Sequence, residues 1–140
     1  MIGNVPTMFL AGGITDCHDW QTEMVDMLAN VDIVLFNPRR ADFPIGDQNA
    51  AIDQITWEYK HLQRADMILF WFPCETLCPI VLYELGWAHN IKRKIYIGTH
   101  PDYKRAHDVE IQMHLARPEI VIVHTLEDLA SQVLDDWMKK

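Results

Sequence analysis

The sequence is short of cysteine, glycine and positive charge. Its 140 residues include three cysteines, six glycines, and 12 lysines and arginines against 20 aspartates and glutamates, which gives a net charge of −8. An odd number of cysteines without paired spacing argues against a disulfide framework. The acidic balance disfavours binding to a nucleic-acid backbone or to an anionic membrane surface. No apolar run approaches 18 residues and no signal peptide precedes Phe9, so we expect a soluble cytoplasmic protein.

Metal-ligand patterns are also missing. Cys74 and Cys78 are four residues apart, but no second pair matches them, and none of the seven histidines has the spacing of a metal site. The dinucleotide fingerprint G-x-G-x-x-G is absent, because the chain has a glycine pair at residues 12–13 and no third glycine at the required distance. We therefore predict no metal site and no dinucleotide site of the fingerprint type.

The clearest positive signal is a strand–helix–strand unit at residues 65–98. Residues 67–72 form an unbroken apolar run, which is typical of a strand buried on both faces. Pro79 stands where a proline in the first turn of a helix is expected, and an apolar strand at residues 95–97 follows that helix. The right-handed crossover of such a unit implies that its two strands are parallel.

The same alternation extends along the whole chain. Strands are predicted at residues 5–11, 32–36, 67–72, 95–97 and 120–123, and helices at 17–29, 51–64, 79–91, 107–115 and 126–138. The length suits one domain, residues 1–140. We predict a single-domain, doubly wound α/β fold of the flavodoxin or Rossmann type, with five parallel strands in the order 2-1-3-4-5. The loops after the strands then gather at one edge of the sheet, where such folds bind ligands.

Glu84 is the residue that structure alone explains least. It lies among large apolar residues in the second turn of a predicted helix, just beyond the carboxyl end of a parallel strand.

Gly12 and Gly13 follow the first strand and allow the backbone to approach a ligand closely. Thr15 or Asp16 would cap the next helix, whose free amides suit an anion. A plain strand-to-helix turn with an ordinary cap explains residues 12–16 equally well.

Two further pairs suit a nucleotide-like ligand. Arg39 and Arg40 follow the second strand and match a phosphate or carboxylate, although a solvated pair that balances the many acids is the simpler interpretation. Trp57 and Glu58 lie in a predicted helix, where a tryptophan would stack on a planar base and the glutamate would hydrogen-bond a sugar. Taken alone, Trp57 fits a core position and Glu58 a solvated one.

Several motifs together carry a family resemblance. They are FLAGGIT at residues 9–15, the tryptophan at position 20, NPRR at 37–40, WE at 57–58, ADMILFWF at 65–72 and PIVLYELG at 79–86. With these motifs the chain resembles the nucleoside 2-deoxyribosyltransferase family, and more closely its deoxyribosyltransferase-like branch. The resemblance covers nearly the whole chain. The same fold includes deoxynucleoside-monophosphate N-glycosidases, which use similar motifs.

The resemblance implies a covalent mechanism. Glu84 matches the family's nucleophile, which attacks the anomeric carbon of a 2-deoxyribonucleoside, releases the base and forms a glycosyl ester. Tyr83 would orient Glu84 by a hydrogen bond, and the helix dipole would favour its anion. Glu58 stands where relatives carry an aspartate and would bind substrate or act as acid and base. The family also implies a homodimer or higher homo-oligomer in which a neighbouring subunit completes each site, and no organic cofactor.

The remaining implied substrate contacts follow the strands. They are Gly12, Gly13, Thr15, Asp16, Asn37, Arg39, Arg40, Trp57, Trp71, Phe72, Glu75 and Cys78. Among them, Trp71 and Phe72 would supply an apolar wall for the base.

Two positions depart from the family pattern. Pro73 stands where classical transferases have an aspartate. Cys78 stands where they have an acidic residue and where the monophosphate glycosidases have a serine. Glu75 would substitute for the missing acid from a shifted position. Three functions therefore stay open: transfer of deoxyribose between bases, hydrolysis of a nucleoside monophosphate, and nucleotide binding without catalysis.

Overall fold

The computed structural model describes residues 5–39 and 48–139, in which strands and helices alternate as far as the fourth helix, and a further helix follows. The elements are β1 (Thr7–Gly12), α1 (Trp20–Met27), β2 (Val34–Phe36), α2 (Gln48–Arg64), β3 (Met67–Phe72), α3 (Pro79–Ala88), β4 (Lys94–Thr99), α4 (Ala106–Ala116) and α5 (Leu126–Met138). The strands are parallel and lie in the order β2-β1-β3-β4. The predicted α/β class, the parallel sheet and the order of its first four strands are confirmed. Within the described ranges, no helix combines the length and the apolar character needed to cross a bilayer.

The predicted fifth strand is not confirmed. Residues 120–123 touch the sheet through one isolated parallel bridge between Gly98 and Val123, with two backbone hydrogen bonds of 2.9 and 3.1 Å. The carbonyl oxygen of Val121 accepts a hydrogen bond from Gln132 Nε2 (2.8 Å) on α5 rather than continuing a ladder with β4. The apolar run arises because Ile120 and Ile122 pack against the core from outside the sheet. The sheet therefore has four strands in the described part of the chain.

The start of the first helix also differs from the prediction. Asp16 has a φ of 59°, in the left-handed region, so the chain cannot be helical there. The cap is Asp19, whose side chain accepts a hydrogen bond from Thr22 N (3.1 Å), and α1 begins at Trp20 rather than at residue 17. Thr15 and Asp16 are consequently exposed loop residues and do not cap the helix.

Successive residues of each strand enter two different cores. One core lies between the sheet and α2, α3 and α4, and it includes Phe9, Phe70 and Phe72. The other lies between the sheet and α1 and α5, and it includes Leu10 and Trp71. Because side chains alternate across a strand, burial on both faces requires an unbroken apolar run, which is the pattern that identified β3 in the sequence.

Candidate active site

Glu84 on α3 and Glu58 on α2 are electrostatic neighbours. Burial and the charge of Glu58 raise the pKa of Glu84 to about 8. Among the described residues, none forms a hydrogen bond or an ion pair with Glu84. The sequence predicted that the helix dipole would favour an ionised Glu84. In the structure, burial and the like charge of Glu58 act in the other direction and favour the neutral form of Glu84.

Glu58 differs from Glu84 in having a hydrogen-bond donor. Burial raises the pKa of Glu58, whereas a hydrogen bond from Gln54 opposes that rise. Gln54 Nε2 lies 3.3 Å from Glu58 Oε2 and 2.8 Å from the carbonyl oxygen of Pro38, just after β2. Sequence reasoning missed Gln54, although its spacing of four residues from Glu58 on one helix was a usable signal.

Tyr83 lies on the outer surface of α3. Its side chain is 77% exposed. Within residues 5–39 and 48–139 its hydroxyl group makes no hydrogen bond, so the hydrogen bond to Glu84 that the resemblance implied is not formed. Ile80, one turn earlier on α3, is exposed as well.

The glycine pair after β1 is explained largely by packing. A Cβ atom at Gly12 would lie 2.3 Å from Trp20 Cζ2 and 2.6 Å from the carbonyl oxygen of Trp71, so only glycine fits. The carbonyl oxygen of Gly13 accepts hydrogen bonds from Trp20 Nε1 (3.1 Å) and Gln21 Nε2 (3.1 Å). These two hydrogen bonds from α1 thus fix the loop after β1.

Arg39 ties the end of β2 to the same loop. Its Nε atom donates to Gln21 Oε1 (3.0 Å) and pairs with Asp19 (3.2 Å), and its guanidinium also donates to the carbonyl oxygens of Cys17 (3.3 Å) and His18 (3.2 Å). The guanidinium is therefore engaged within the protein.

The neighbours of Arg39 in the sequence differ in what the structure describes. The Asn37 side chain accepts from Arg39 N (2.9 Å) in an Asx turn. The prediction for Arg40 falls outside the described residues.

The loop between β3 and α3 meets the loop after β1. Glu75 Oε2 accepts a hydrogen bond from His18 N (2.8 Å), which lowers the pKa of Glu75. Cys78 is buried with a φ of 55°, and burial raises the pKa of its thiol to about 12. Tyr103, another residue that sequence reasoning missed, donates from its hydroxyl group to the carbonyl oxygen of Leu77 (2.7 Å). The two loops and the segment after β4 are thereby linked at one edge of the sheet.

The three aromatic residues predicted to contact the base pack mainly against the protein. Trp71 is buried against Gly98, and Phe72 is fully buried against the ring of Tyr103, with centroids 5.1 Å apart. Trp57 is partly buried and stacks on His61, with centroids 4.0 Å apart. The structure thus gathers Glu58 and Glu84 together, and Gly13, Glu75 and Cys78 together, while Trp71 and Phe72 belong to the cores. In the part of the chain that is described, no group of His, Cys, Asp and Glu side chains is placed to hold a metal ion.

The fold belongs to the class of open, parallel α/β sheets, which bind ligands outside the carboxyl ends of their strands. The family model described as nucleoside 2-deoxyribosyltransferase-like matches residues 5–103, which is more than half of the chain and includes every predicted site residue. The chain belongs to this nucleoside 2-deoxyribosyltransferase-like family. No curated protein matches the chain significantly.

Proposed function

We propose that the protein cleaves the N-glycosidic bond of a 2-deoxyribonucleoside and transfers the deoxyribose between nucleobases through a glycosyl ester on Glu84. The observation that carries this proposal is the pair of neighbouring, partly buried carboxylates on α2 and α3. No described cation neutralises either of them. An arrangement that concentrates negative charge suits an oxocarbenium-like transition state, because positive charge develops on the sugar.

The pair supplies both the nucleophile and the acid. Because the pKa of Glu84 is raised to about 8 beside Glu58, we expect the pair to hold one proton near neutral pH. In the proposed reaction, the proton moves from Glu84 to Glu58, and the Glu84 carboxylate attacks the anomeric carbon. The bond from that carbon to the base nitrogen then breaks, and Glu58 gives the proton to the departing base. This leaves a glycosyl ester on Glu84 and a charged Glu58, so atoms and charge balance.

The second half-reaction resolves the ester. An acceptor base loses its proton to Glu58 and attacks the anomeric carbon, which releases Glu84 as a carboxylate and restores the starting charge. Water in place of the base would give hydrolysis. General acid catalysis of this kind contributes about 10²- to 10⁴-fold to the rate. We propose that the sugar binds beside the pair, with the loops containing Gly13, Thr15, Asp16, Glu75 and Cys78 around the ligand.

A nucleoside suits the site better than its 5′-monophosphate. The predicted phosphate ligand Arg39 already bonds to Gln21, to Asp19 and to two backbone carbonyls, so recruiting it for phosphate would break those bonds. The Asn37, Trp57, Trp71 and Phe72 side chains are proposed to shape this edge through the contacts described above.

We further propose that the protein is a homodimer whose partner covers the outer face of α2 and α3. The proposed face would use the five large residues of these two helices that are more than 60% exposed, which are Ile52, Ile55, Tyr59, Ile80 and Tyr83. At roughly 100 Å² each they offer about 500 Å², a large part of the ~800 Å² that each partner buries in a stable interface. The same two helices carry Glu58 and Glu84, so a second copy would enclose the carboxylate pair.

The dimer is tested by sedimentation of the purified protein and of two variants. Ile55→Lys places a charge within this face and should give a monomer with reduced activity. The matched control Ile111→Lys changes a half-exposed residue of α4 outside the face and should stay dimeric. A wild-type monomer at micromolar concentration, or dissociation of both variants alike, contradicts this part of the proposal.

The activity is tested by incubating the protein with 2-deoxyribonucleosides and their monophosphates, and by following intact-protein mass and release of free base. We expect a mass increase of one deoxyribosyl group, which disappears when a second base is added. Glu84→Gln should lower turnover at least about a thousandfold and give no adduct. Glu127→Gln, at the exposed start of α5, is the control and should behave like the wild type.

Other outcomes of this experiment select the alternatives. Base release from monophosphates alone, with no acceptor, would identify a nucleoside-monophosphate hydrolase. Ligand binding without adduct or base release, and without loss of affinity in Glu84→Gln, would identify a binding protein and overturn the assignment of Glu84 as the nucleophile.

A further inference from the structure

Gln54 is a buried amide in the middle of α2, with a side chain only 9% exposed. Its amide nitrogen lies 2.8 Å from the carbonyl oxygen of Pro38. A carbonyl oxygen accepts hydrogen bonds and never donates them, so the group that faces Pro38 must be the NH₂ end of the side chain. This contact fixes the orientation of the amide, which the shape of the side chain alone would leave open.

The second hydrogen of that NH₂ group is directed at Glu58. Glu58 Oε2 lies 3.3 Å from Gln54 Nε2, one helical turn further along α2. An NH₂ group only donates, and a donor stabilises a charged carboxylate more than a neutral acid. Glu84 has no such donor among the described residues. The two members of the pair therefore differ in whether a hydrogen-bond donor stabilises the charged form of the carboxylate.

We propose that Gln54 is a positioning residue that holds Glu58 as the carboxylate, so that Glu84 carries the shared proton before substrate binds. The described titratable group facing Glu58 from α3 is Glu84, and the one facing Glu84 from α2 is Glu58. His61, one turn further along α2, packs against Trp57 and Phe36. Arg39, near the same end of β2, bonds to the loop after β1.

The role of Gln54 in the reaction rests on the proposed function, whereas the position of the proton is a property of the free protein. Because Gln54 favours the charged form of Glu58, it makes Glu58 a stronger acid toward the departing base. When Glu58 takes up the proton from Glu84, its carbonyl oxygen still accepts from Gln54. The amide thus keeps Glu58 in place through both protonation states.

The test is a titration of the full-length protein followed by NMR of ¹³C-labelled glutamate carboxyl groups, with Glu58→Gln and Glu84→Gln to assign the two signals. Gln54→Met keeps the length of the side chain and removes the donor. We expect the Glu58 midpoint to rise by about one pH unit and the Glu84 midpoint to fall. Gln63→Met, on the same helix but away from the pair, is the matched control and should leave both midpoints unchanged.

A measurement on the wild type guards against a variant that does not fold. The side-chain ¹⁵N and ¹H signals of Gln54 should follow the titration of Glu58, and this response should vanish in Glu58→Gln. The inference is overturned if these signals ignore the Glu58 titration, or if folded Gln54→Met has wild-type midpoints. Neither result depends on turnover. Conversely, an inactive protein with the expected titrations would count against the proposed function and leave the role of Gln54 in proton placement intact.

For an active protein, a kinetic readout follows. Gln54→Met should lower kcat about tenfold with little change in KM, and the loss should be larger for bases that leave poorly, because Glu58 has become a weaker acid. A rise in KM with an unchanged kcat would assign Gln54 a merely structural role.

Discussion

The two sides of the sheet differ in how far their polar groups find partners and their apolar side chains are buried within the chain. On the side of α1 and α5, the polar groups near the strand ends have partners: the Gly13 carbonyl oxygen accepts two hydrogen bonds, Arg39 bonds to a side chain and to two carbonyl oxygens, and Glu75 accepts from a backbone amide. On the side of α2 and α3, Glu84 has no donor among the described residues, and large apolar side chains such as Ile55 are exposed.

This difference suggests that one side of the sheet serves mainly stability and the other mainly function. Paired polar groups and close packing around Gly12 stabilise the native state without a ligand. A buried carboxylate pair without a described cation costs free energy in the isolated chain, because both groups are partly removed from water and only Glu58 has a hydrogen-bond donor. Such a cost is typical of sites whose partner is a substrate or another subunit. The α2 and α3 side is therefore where we expect substitutions to change function, and the opposite side is where we expect them to change stability.

The largest expected effect tests the packed side. Gly12→Ala places a methyl group within 2.3 Å of Trp20 and 2.6 Å of a backbone carbonyl oxygen, so the sheet and α1 must separate. We expect a loss of about 3 kcal/mol or more in the free energy of unfolding, measured by urea denaturation. The control is Gly86→Ala on α3, where an added Cβ meets nothing within 4 Å. This substitution should stabilise the protein by about 0.5–1 kcal/mol, because alanine favours helix. Equal losses in both variants would break the contrast between the two sides.

The next effect concerns the cost of burying the carboxylate pair. Glu84 has a pKa of about 8 in the folded protein, above its ordinary value, so folding favours the protonated form. The stability that this neutral form provides is fully present below the ordinary pKa of a glutamate and is lost as pH rises through about 8. Glu84→Gln removes this loss. At pH 9 it should be more stable than the wild type by about 2 kcal/mol, and near pH 4 the two should differ little.

Thermal unfolding across pH 4–9 measures this effect, with Glu127→Gln as a surface control. A gain near 2 kcal/mol corresponds to a rise of about 7 °C in Tm for a domain of this size. If the curves of wild type and Glu84→Gln run parallel over the whole range, Glu84 is ionised in the folded protein and the two sides of the sheet are electrostatically alike.

The smallest effect concerns the link between β2 and the loop after β1. Arg39→Met removes the hydrogen bonds to Gln21 and to the backbone of the loop while it keeps the aliphatic stem. We expect a loss of about 1 kcal/mol, because these bonds are only partly buried, together with faster hydrogen exchange in residues 13–19. A selective rise in KM for monophosphates, with no change in hydrogen exchange, would instead assign Arg39 to phosphate binding.

Sequence reasoning succeeded where local patterns determine the structure. The unbroken apolar run of β3 and the proline at the start of α3 were enough to predict the central unit, and the order of the first four strands followed from it. The fifth strand failed because Ile120 and Ile122 are apolar for contact with the core rather than for sheet pairing. Such a distinction depends on where the chain lies in space, which a short apolar run does not encode.

For the candidate site, the sequence was enough to propose residues and not enough to predict their charges. Glu84 and Glu58 could be singled out from their motifs. The protonation of Glu84 could not, because it depends on burial and on a residue 26 positions earlier in the chain. The partners of Gln54 and Arg39 could not be predicted either. Pro38 and the loop after β1 become their neighbours only when the sheet is assembled.

The hydrogen bond from the Trp20 indole to the carbonyl oxygen of Gly13 has a spectroscopic consequence. Trp20 is buried, and its N–H points at the turn where a ligand would approach the end of β1. Indole emission is sensitive to its hydrogen-bond partner, so movement of this turn should change the intrinsic fluorescence of the protein. Comparison with Trp20→Phe would isolate that signal from the other four tryptophans. The chain thus contains its own optical reporter, placed beneath the loop that is proposed to contact the sugar.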